Sequence, residues 1–363
     1  MVKMSDIFKK IEERKKTDKG IQPLPVSAAP PLDTPIVAHH ETVFQPAPAP
    51  AEAEIITPSP QPIRQNIDVA AFTECEKAYN DALALMQEIM KEDAIYELID
   101  IHRISAIVDK IIDLARAHPE KMTELALNPD VSSQTTYIFC HVTNVCILSI
   151  MIGLELGYEP YRLKELGTAS LLHDVGMAHY LEIISQANKL SKEDFERTKN
   201  HTLFAAKMLS SIKGLDDVVF EVARQHHEHL DGSGYPDGLK GSQIHEYSSI
   251  VGILDIYEAM MHRRTYRTEF QARETIQEIL KNKSAYDPKL IKVLINKIGI
   301  FPIGSLVELN TKELARVVAL NSNNILRPVV KIITTCNGEE CTEEKRVNLA
   351  TEPAIWIRHL DKE

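Results

Sequence analysis

The sequence predicts a mainly α protein. A helical bundle is followed by a small C-terminal β-rich subdomain and preceded by a disordered, Pro-rich N-terminal linker. Three observations carry this. Apolar residues recur at helical spacing from about residue 69 to residue 282, with Gly and Pro falling almost entirely between the periodic segments. Beyond Phe301-Pro302 the pattern changes to short β-rich runs. Eleven of the nineteen prolines lie between Gln22 and Pro62, in a stretch that has little to bury and cannot support a helix.

Taken in order, residues 1–19 are charged, but Met4, Ile7, Phe8 and Ile11 line one face of a short helix. So short an amphipathic segment is either a frayed tail or a docking helix for a partner. Residues 20–66 form the linker. Globular sequence opens an N-terminal helical region at 67–133. Its helices are expected over 69–92, 94–117 and 119–128, with Leu83, Met86, Ile89 and Met90, then Ile104, Ile107, Val108 and Ile111, at core spacing. A second helical region, 134–298, carries helical periodicity over 134–157, 159–172, 191–212, 215–229, 246–262 and 269–282. The last region, 299–363, holds strands expected at 305–309, 316–320 and 329–335, a tight turn at Asn337-Gly338, and two further strands at 346–349 and 354–357.

Composition narrows the function. The 363 residues are 44% hydrophobic and 26% charged, which excludes a largely disordered, collagen-like or coiled-coil chain. A formal net charge of −11 argues against a nucleic acid polymer as partner, so an anionic ligand must meet a local basic cluster. No run of about eighteen apolar residues predicts a membrane span. The lysine-rich start lacks the apolar region of a secretory signal, and five cysteines do not suggest a disulfide framework. The expected location is the cytoplasm.

The candidate site is a set of polar residues where helix cores should be: His141, His173, Asp174, His201, His226, His227 and Asp255. A lone core histidine is usually just hydrogen-bonded. These recur every 25 to 32 residues, about one helix and its connection, so one position from each of several helices can meet at a common point. Burying five imidazoles and two carboxylates together is costly without a cation. Imidazole with carboxylate suits iron, manganese, zinc or nickel, and seven ligands exceed what one ion takes. Two ions are the natural count, with Asp174 bridging and His173 serving one of them; such a pair can hold a hydroxide and clamp a phosphoryl group. A loop follows in Asp231-Gly232-Ser233-Gly234-Tyr235-Pro236, able to place Tyr235 over the site as a stacking surface for a nucleobase. Arg263, Arg264 and Arg267 form the local basic cluster that a phosphodiester requires.

His173-Asp174-Val175-Gly176 resembles the signature of the HD superfamily of metal phosphohydrolases. With His226-His227-Glu228 and the Gly-Tyr-Pro loop, residues 137–288 resemble an HD-GYP domain. The resemblance implies a phosphodiesterase that opens cyclic di-GMP to pGpG, and in some members continues to GMP, using two divalent ions, iron or manganese. By the same resemblance the seven residues above are metal ligands, with His173 and Asp174 at the catalytic centre, and Tyr235, Arg264 and Arg267 contact the dinucleotide. A protein partner, such as a diguanylate cyclase, is expected at the N-terminal segment or the Gly-Tyr-Pro loop. Two departures stand out. Tyr137 occupies the position where some members carry a glutamate for a third metal. Met177 replaces the lysine of the usual His-Asp-x-Gly-Lys, a residue near the scissile phosphate, for which nearby His179 is one conceivable substitute. The expected function is therefore an active phosphodiesterase. The alternative is a weakly active or inactive receptor or interaction module; a nuclease or nucleotidase leaves the loop unexplained.

Overall fold

The computed structural model describes residues 69–91, 99–127, 137–184, 191–261, 272–321, 324–341 and 344–358. The expected N-terminal helix, the Pro-rich linker, Arg263, Arg264 and Arg267 lie outside the described residues. The chain divides at residue 63, and all that follows concerns the second unit, 64–363.

The helices are α1 (Val69–Lys91), α2 (Ile101–Ala117), α3 (Pro119–Ala126), α4 (Tyr137–Glu155), α5 (Pro160–Leu172), α6 (Leu181–Ile184), α7 (Lys192–Thr198), α8 (His201–Leu209), α9 (Asp217–Gln225), α10 (Glu246–Met261), α11 (Ala272–Lys281) and α12 (Pro288–Ile298). A short 3-10 turn, Val175–Tyr180, joins α5 to α6. Their boundaries follow local chemistry. Asp100 caps α2 by accepting from the amide of His102 at 2.9 Å, and Ile104, Val108, Ile111 and Ala115 form its buried stripe. Proline opens α3, α5 and α12 at the first turn, where its missing N–H costs nothing. The helix α12 has no counterpart among the expected segments, although Asp287 before Pro288 and apolar Leu290, Ile291, Leu294 and Ile298 carry its signal. The helix expected over 191–212 is two: α7 ends at Thr198, and Lys199-Asn200 restart the chain into α8.

Helix α4 is the centre of the body. It packs on α1, α2, α3, α5, α10 and α12. It is long and apolar enough to cross a membrane, but 89% of its most apolar window is buried among these neighbours, which accounts for its composition.

The C-terminal sheet is an antiparallel meander, β1 (Leu306–Glu308), β2 (Leu314–Ala319), β3 (Val329–Thr334) and β4 (Arg346–Asn348), in sequential order. Alternate residues Ala315 and Val317, and Val330 and Ile332, turn into a separate core with Val307, Leu309 and Val347. Gly338 takes φ +83° in the expected tight turn after β3. The strand expected at 354–357 does not form. Pro353 lacks a donor, and the segment is tied instead by an isolated bridge between Leu309 and Ile357 and by the Asn310 side chain on Trp356 N at 2.8 Å.

Two close backbone approaches set the body's geometry. A Cβ at Gly176 would stand 2.1 Å from the carbonyl oxygen of His201, and one at Gly252 would stand 2.2 Å from that of His226. These glycines let the 3-10 turn lie on α8 and α10 lie on the end of α9. Gly176→Ala and Gly252→Ala should each lower stability by about 1–3 kcal/mol through overpacking. Urea unfolding should show lower midpoints with unchanged slope; unchanged midpoints would mean that neither approach is tight.

Candidate metal centre

The site is built from helix ends. His173 follows the last residue of α5, His201 is the first residue of α8, and His226 follows the last residue of α9. A helix end leaves backbone carbonyls without intrahelical partners. Each of these imidazoles takes one three residues back: Nδ1 of His173 donates to Ser170 O at 2.7 Å, His201 to Thr198 O at 2.7 Å and His226 to Ala223 O at 3.1 Å. A carbonyl only accepts, so Nδ1 carries the hydrogen and Nε2 is left, in the neutral ring, as a lone pair. His141, inside α4, reaches the same state differently, since its Nδ1 is hydrogen-bonded to the carboxylate of Glu258 on α10.

These lone pairs converge on two carboxylates. Asp174 Oδ1 lies 3.0 Å from His201 Nε2 and 3.5 Å from His226 Nε2, while Oδ2 lies 3.9 Å from His141 Nε2 and 3.8 Å from His173 Nε2. Asp255, on α10, lies 2.9 Å from His141 Nε2 and 3.5 Å from His227 Nδ1. His201 Nε2 and His226 Nε2 face each other at 3.3 Å, and the buried His173 Nε2 has no hydrogen-bond partner among the described residues. The seven residues form two four-residue groups, His141-His173-Asp174-Asp255 and Asp174-His201-His226-His227, with ligand atoms in each within 4.8 Å of one another. Asp174 belongs to both. Lone pairs facing lone pairs repel, so this donor set fits cations and fits nothing neutral. The C-terminal ends of α5 and α9 add their negative dipole ends to the same point.

Without a cation, protons must take its place. Burial opposes charge on His141, His173, His201 and His227; it holds His173 down at about 4 and, with His226 beside it, His227 well below the usual value. Burial is outweighed at His141 by Glu258 and at His201 by Asp174, and both are raised. Burial alone would raise the two carboxylates, yet His173 and His201 around Asp174, and His141 and His227 around Asp255, hold both below the ordinary range.

The loop after α9 is held by carboxylates. Buried Glu228 accepts from the amides of Asp237, Gly238 and Leu239 at 2.6, 3.1 and 2.9 Å. Asp237 makes a two-point contact with Arg224 at 2.7 Å for both bonds. Hydrogen bonds from Ser233 and Ser284 lower Asp231 to about 2. The result sets the Tyr235 ring on that of His227, with centroids 4.6 Å apart and planes at 29°, and Lys199 Nζ lies 5.4 Å from the Tyr235 ring centre.

The structure thus brings together all seven residues singled out as ligands and puts Tyr235 beside them. Tyr137, in place of the third-metal glutamate, stacks on His141 with centroids 5.7 Å apart. His179 is exposed and turns its ring edge to Phe204 at 5.0 Å. His173, Asp174 and Met177 do not share one helix. The helix α5 ends at Leu172, and Met177 N donates to Asp174 O at 2.8 Å in a 3-10 turn. With three residues per turn, Met177 aligns with Asp174 rather than with His173, and its half-buried side chain packs on the apolar core. Sequence reasoning missed Glu258 and the loop-holding role of Glu228. The signal for Glu258 was its position one turn beyond Asp255 in an otherwise apolar helix.

Residues 107–290, more than half of the chain, match the family described as the HD domain, and residues 306–363 match a KOW domain associated with the HD domain. The chain is 28% identical over 294 residues to a Pseudomonas aeruginosa protein named cyclic di-GMP phosphodiesterase PA4108, covering 77% of this chain and 70% of that one. It is 29% identical over 219 residues to a Borreliella burgdorferi protein named cyclic di-GMP phosphodiesterase PdeB, covering 60% of this chain and 57% of that one. Among solved structures, Bd1817, described as an HDG"Y"P protein from Bdellovibrio bacteriovorus, shares the fold at a TM-score of 0.52 and 17% identity, over 63% of this chain and 73% of that one. With a helical fold that gathers five histidines and two aspartates at one centre, the chain belongs to the HD domain family.

Proposed function

We propose that this protein is a metal-dependent phosphodiesterase that opens cyclic di-GMP to pGpG, with GMP as a further product, at a centre for two divalent ions, iron or manganese. The observation that carries this is the pair of four-residue groups sharing Asp174. Two divalent cations held there would supply Lewis acidity toward a water and the phosphodiester near neutral pH. His141, His173, Asp174 and Asp255 would hold one, and Asp174, His201, His226 and His227 the other.

The chain's own residues do the rest. Asp174 presents one oxygen to each group and so fixes their spacing. The carbonyls behind His173, His201 and His226 hold the tautomer that keeps Nε2 free. Tyr235, fixed by its stack on His227, offers a ring edge and face for a guanine, and Lys199 stands beside it as a cation for phosphate. Arg264 and Arg267 would clamp the phosphates by charge-assisted hydrogen bonds. The names of the curated relatives support cyclic di-GMP as substrate.

Met177 favours a second reading, in which the same site binds cyclic di-GMP with little turnover. A thioether can neither donate to a phosphate oxygen nor protonate a leaving ribose oxygen. Chromatography of products, with manganese or with ferrous iron under anaerobic conditions and a second cyclic dinucleotide alongside, separates the two. Appearance of pGpG supports the enzyme; tight binding without product supports the receptor.

Three outcomes follow from this reading. Asp174→Ala should remove both ions and all turnover; two ions retained per chain, by elemental analysis, would place the bridge elsewhere. Metal affinity should fall as pH is lowered, because His141 and His201, raised in the metal-free protein, must give up protons at the atoms the cations take. Calorimetry in buffers of different ionisation heat should show proton release on metal uptake, and its absence would mean that His141 and His201 are already neutral in the metal-free protein. Met177→Lys should keep the metals and raise turnover by about tenfold or more if acid catalysis is limiting. No gain at any pH would remove Met177 as the defect.

A further inference from the structure

A buried chain of hydrogen bonds leaves the metal centre in the direction of α1. Glu258, fully buried, meets His141 Nδ1 with Oε2 and accepts from Asn144 Nδ2 at 2.8 Å with Oε1. Asn144, 1% exposed, then uses its Oδ1 to accept from the hydroxyl of Tyr79, at 2.9 Å. Tyr79 is 3% exposed and belongs to α1, which precedes the residues matched to the HD domain.

Each link is directional. The Asn144 amide can donate to Glu258 and accept from Tyr79 only in one orientation: the carboxylate, which only accepts, selects it, and the Tyr79 hydroxyl, donating to Oδ1, helps to hold it. With the amide so held, one Glu258 oxygen is engaged and the other is aimed at Nδ1 of His141. That bond sets the tautomer and ring angle of a residue whose Nε2 points at Asp255 and Asp174. Of His141, His173, His201 and His226, His141 alone is hydrogen-bonded at Nδ1 to a side chain rather than to a backbone carbonyl. Its orientation therefore depends on groups that can rotate, and these need an anchor.

We propose that Tyr79 is a positioning residue for the metal centre, acting through Asn144 and Glu258 on His141. This makes α1 part of the site's working unit. The inference rests on the metal centre proposed above.

The test uses the full chain and manganese as probe, with cobalt for its ligand-sensitive visible spectrum. Glu258→Gln should weaken manganese binding about 10- to 100-fold, as loss of a ligand's hydrogen-bond partner does elsewhere. Tyr79→Phe, which removes one oxygen and keeps the packing ring, should weaken it about 3- to 10-fold and shift the cobalt spectrum. The double variant should bind manganese no more weakly than Glu258→Gln, since both act along one route. Wild-type protein that takes up no manganese or cobalt would defeat the metal reading itself. Wild-type affinity and an unchanged cobalt spectrum in Tyr79→Phe, with Glu258→Gln weakened, would overturn the inference and leave the metal reading standing. Fully additive effects in the double variant would also overturn it, because Tyr79 would then act by another route.

Discussion

Lone pairs that face one another inside a folded protein have to be reconciled, and here that constraint governs the architecture. Five imidazoles and two carboxylates point at a common centre, with contacts such as 3.0 Å between His201 Nε2 and Asp174 Oδ1. Hydrophobic burial assembles the helices, but it does not pay for this arrangement; a cation or a proton must sit among the lone pairs. The short 3-10 turn after α5, the break between α7 and α8, and the end of α9 can all be read as ways of bringing a free backbone carbonyl and a histidine to the same place. Gly176 and Gly252 then let those ends approach more closely than a side chain would permit.

The second consequence concerns how rigidly the site is framed. Loops are ordinarily the mobile part of a protein, yet the segment carrying Tyr235 is tied by Glu228, by the Arg224–Asp237 pair and by Asp231 with its serines. Such a loop holds a ring in place before a ligand arrives, which reduces the ordering cost of binding. From His141, hydrogen bonds through Glu258 and Asn144 reach Tyr79, so the site is braced by polar groups from both the loop and the helices.

Much of this could be read from the sequence, for identifiable reasons. The seven clustered residues stood out because a polar residue in an apolar helix needs a partner, and their spacing matched the repeat of helix and connection. Helix α4 was legible because its apolar run is long and uninterrupted, and the first strands because the pattern changes to short β-rich runs beyond Phe301-Pro302. What was not legible depended on tertiary contact. Glu258 looked like one more acidic residue until the fold placed it against His141. The split of α7 from α8 has no strong breaker, since Lys199-Asn200 is compatible with a helix, and only the position of His201 explains it. The α12 signal, Asp287-Pro288 before an amphipathic stretch, was present and went unread beside the change of pattern near Phe301. The expected final strand failed because a short apolar run, 354–357, says nothing about whether an edge is free to pair.

Cations at the centre are the premise on which every role given to these residues depends. The most direct measurement is the metal content of the wild-type chain after anaerobic loading with ferrous iron or manganese and removal of excess, together with its melting temperature before and after a chelator. Two ions per chain, and a clear fall in melting temperature when they are withdrawn, are the predicted result, since binding to the folded state alone must stabilise it. A chain that emerges folded and metal-free, with a melting temperature indifferent to both metal and chelator, would contradict the account.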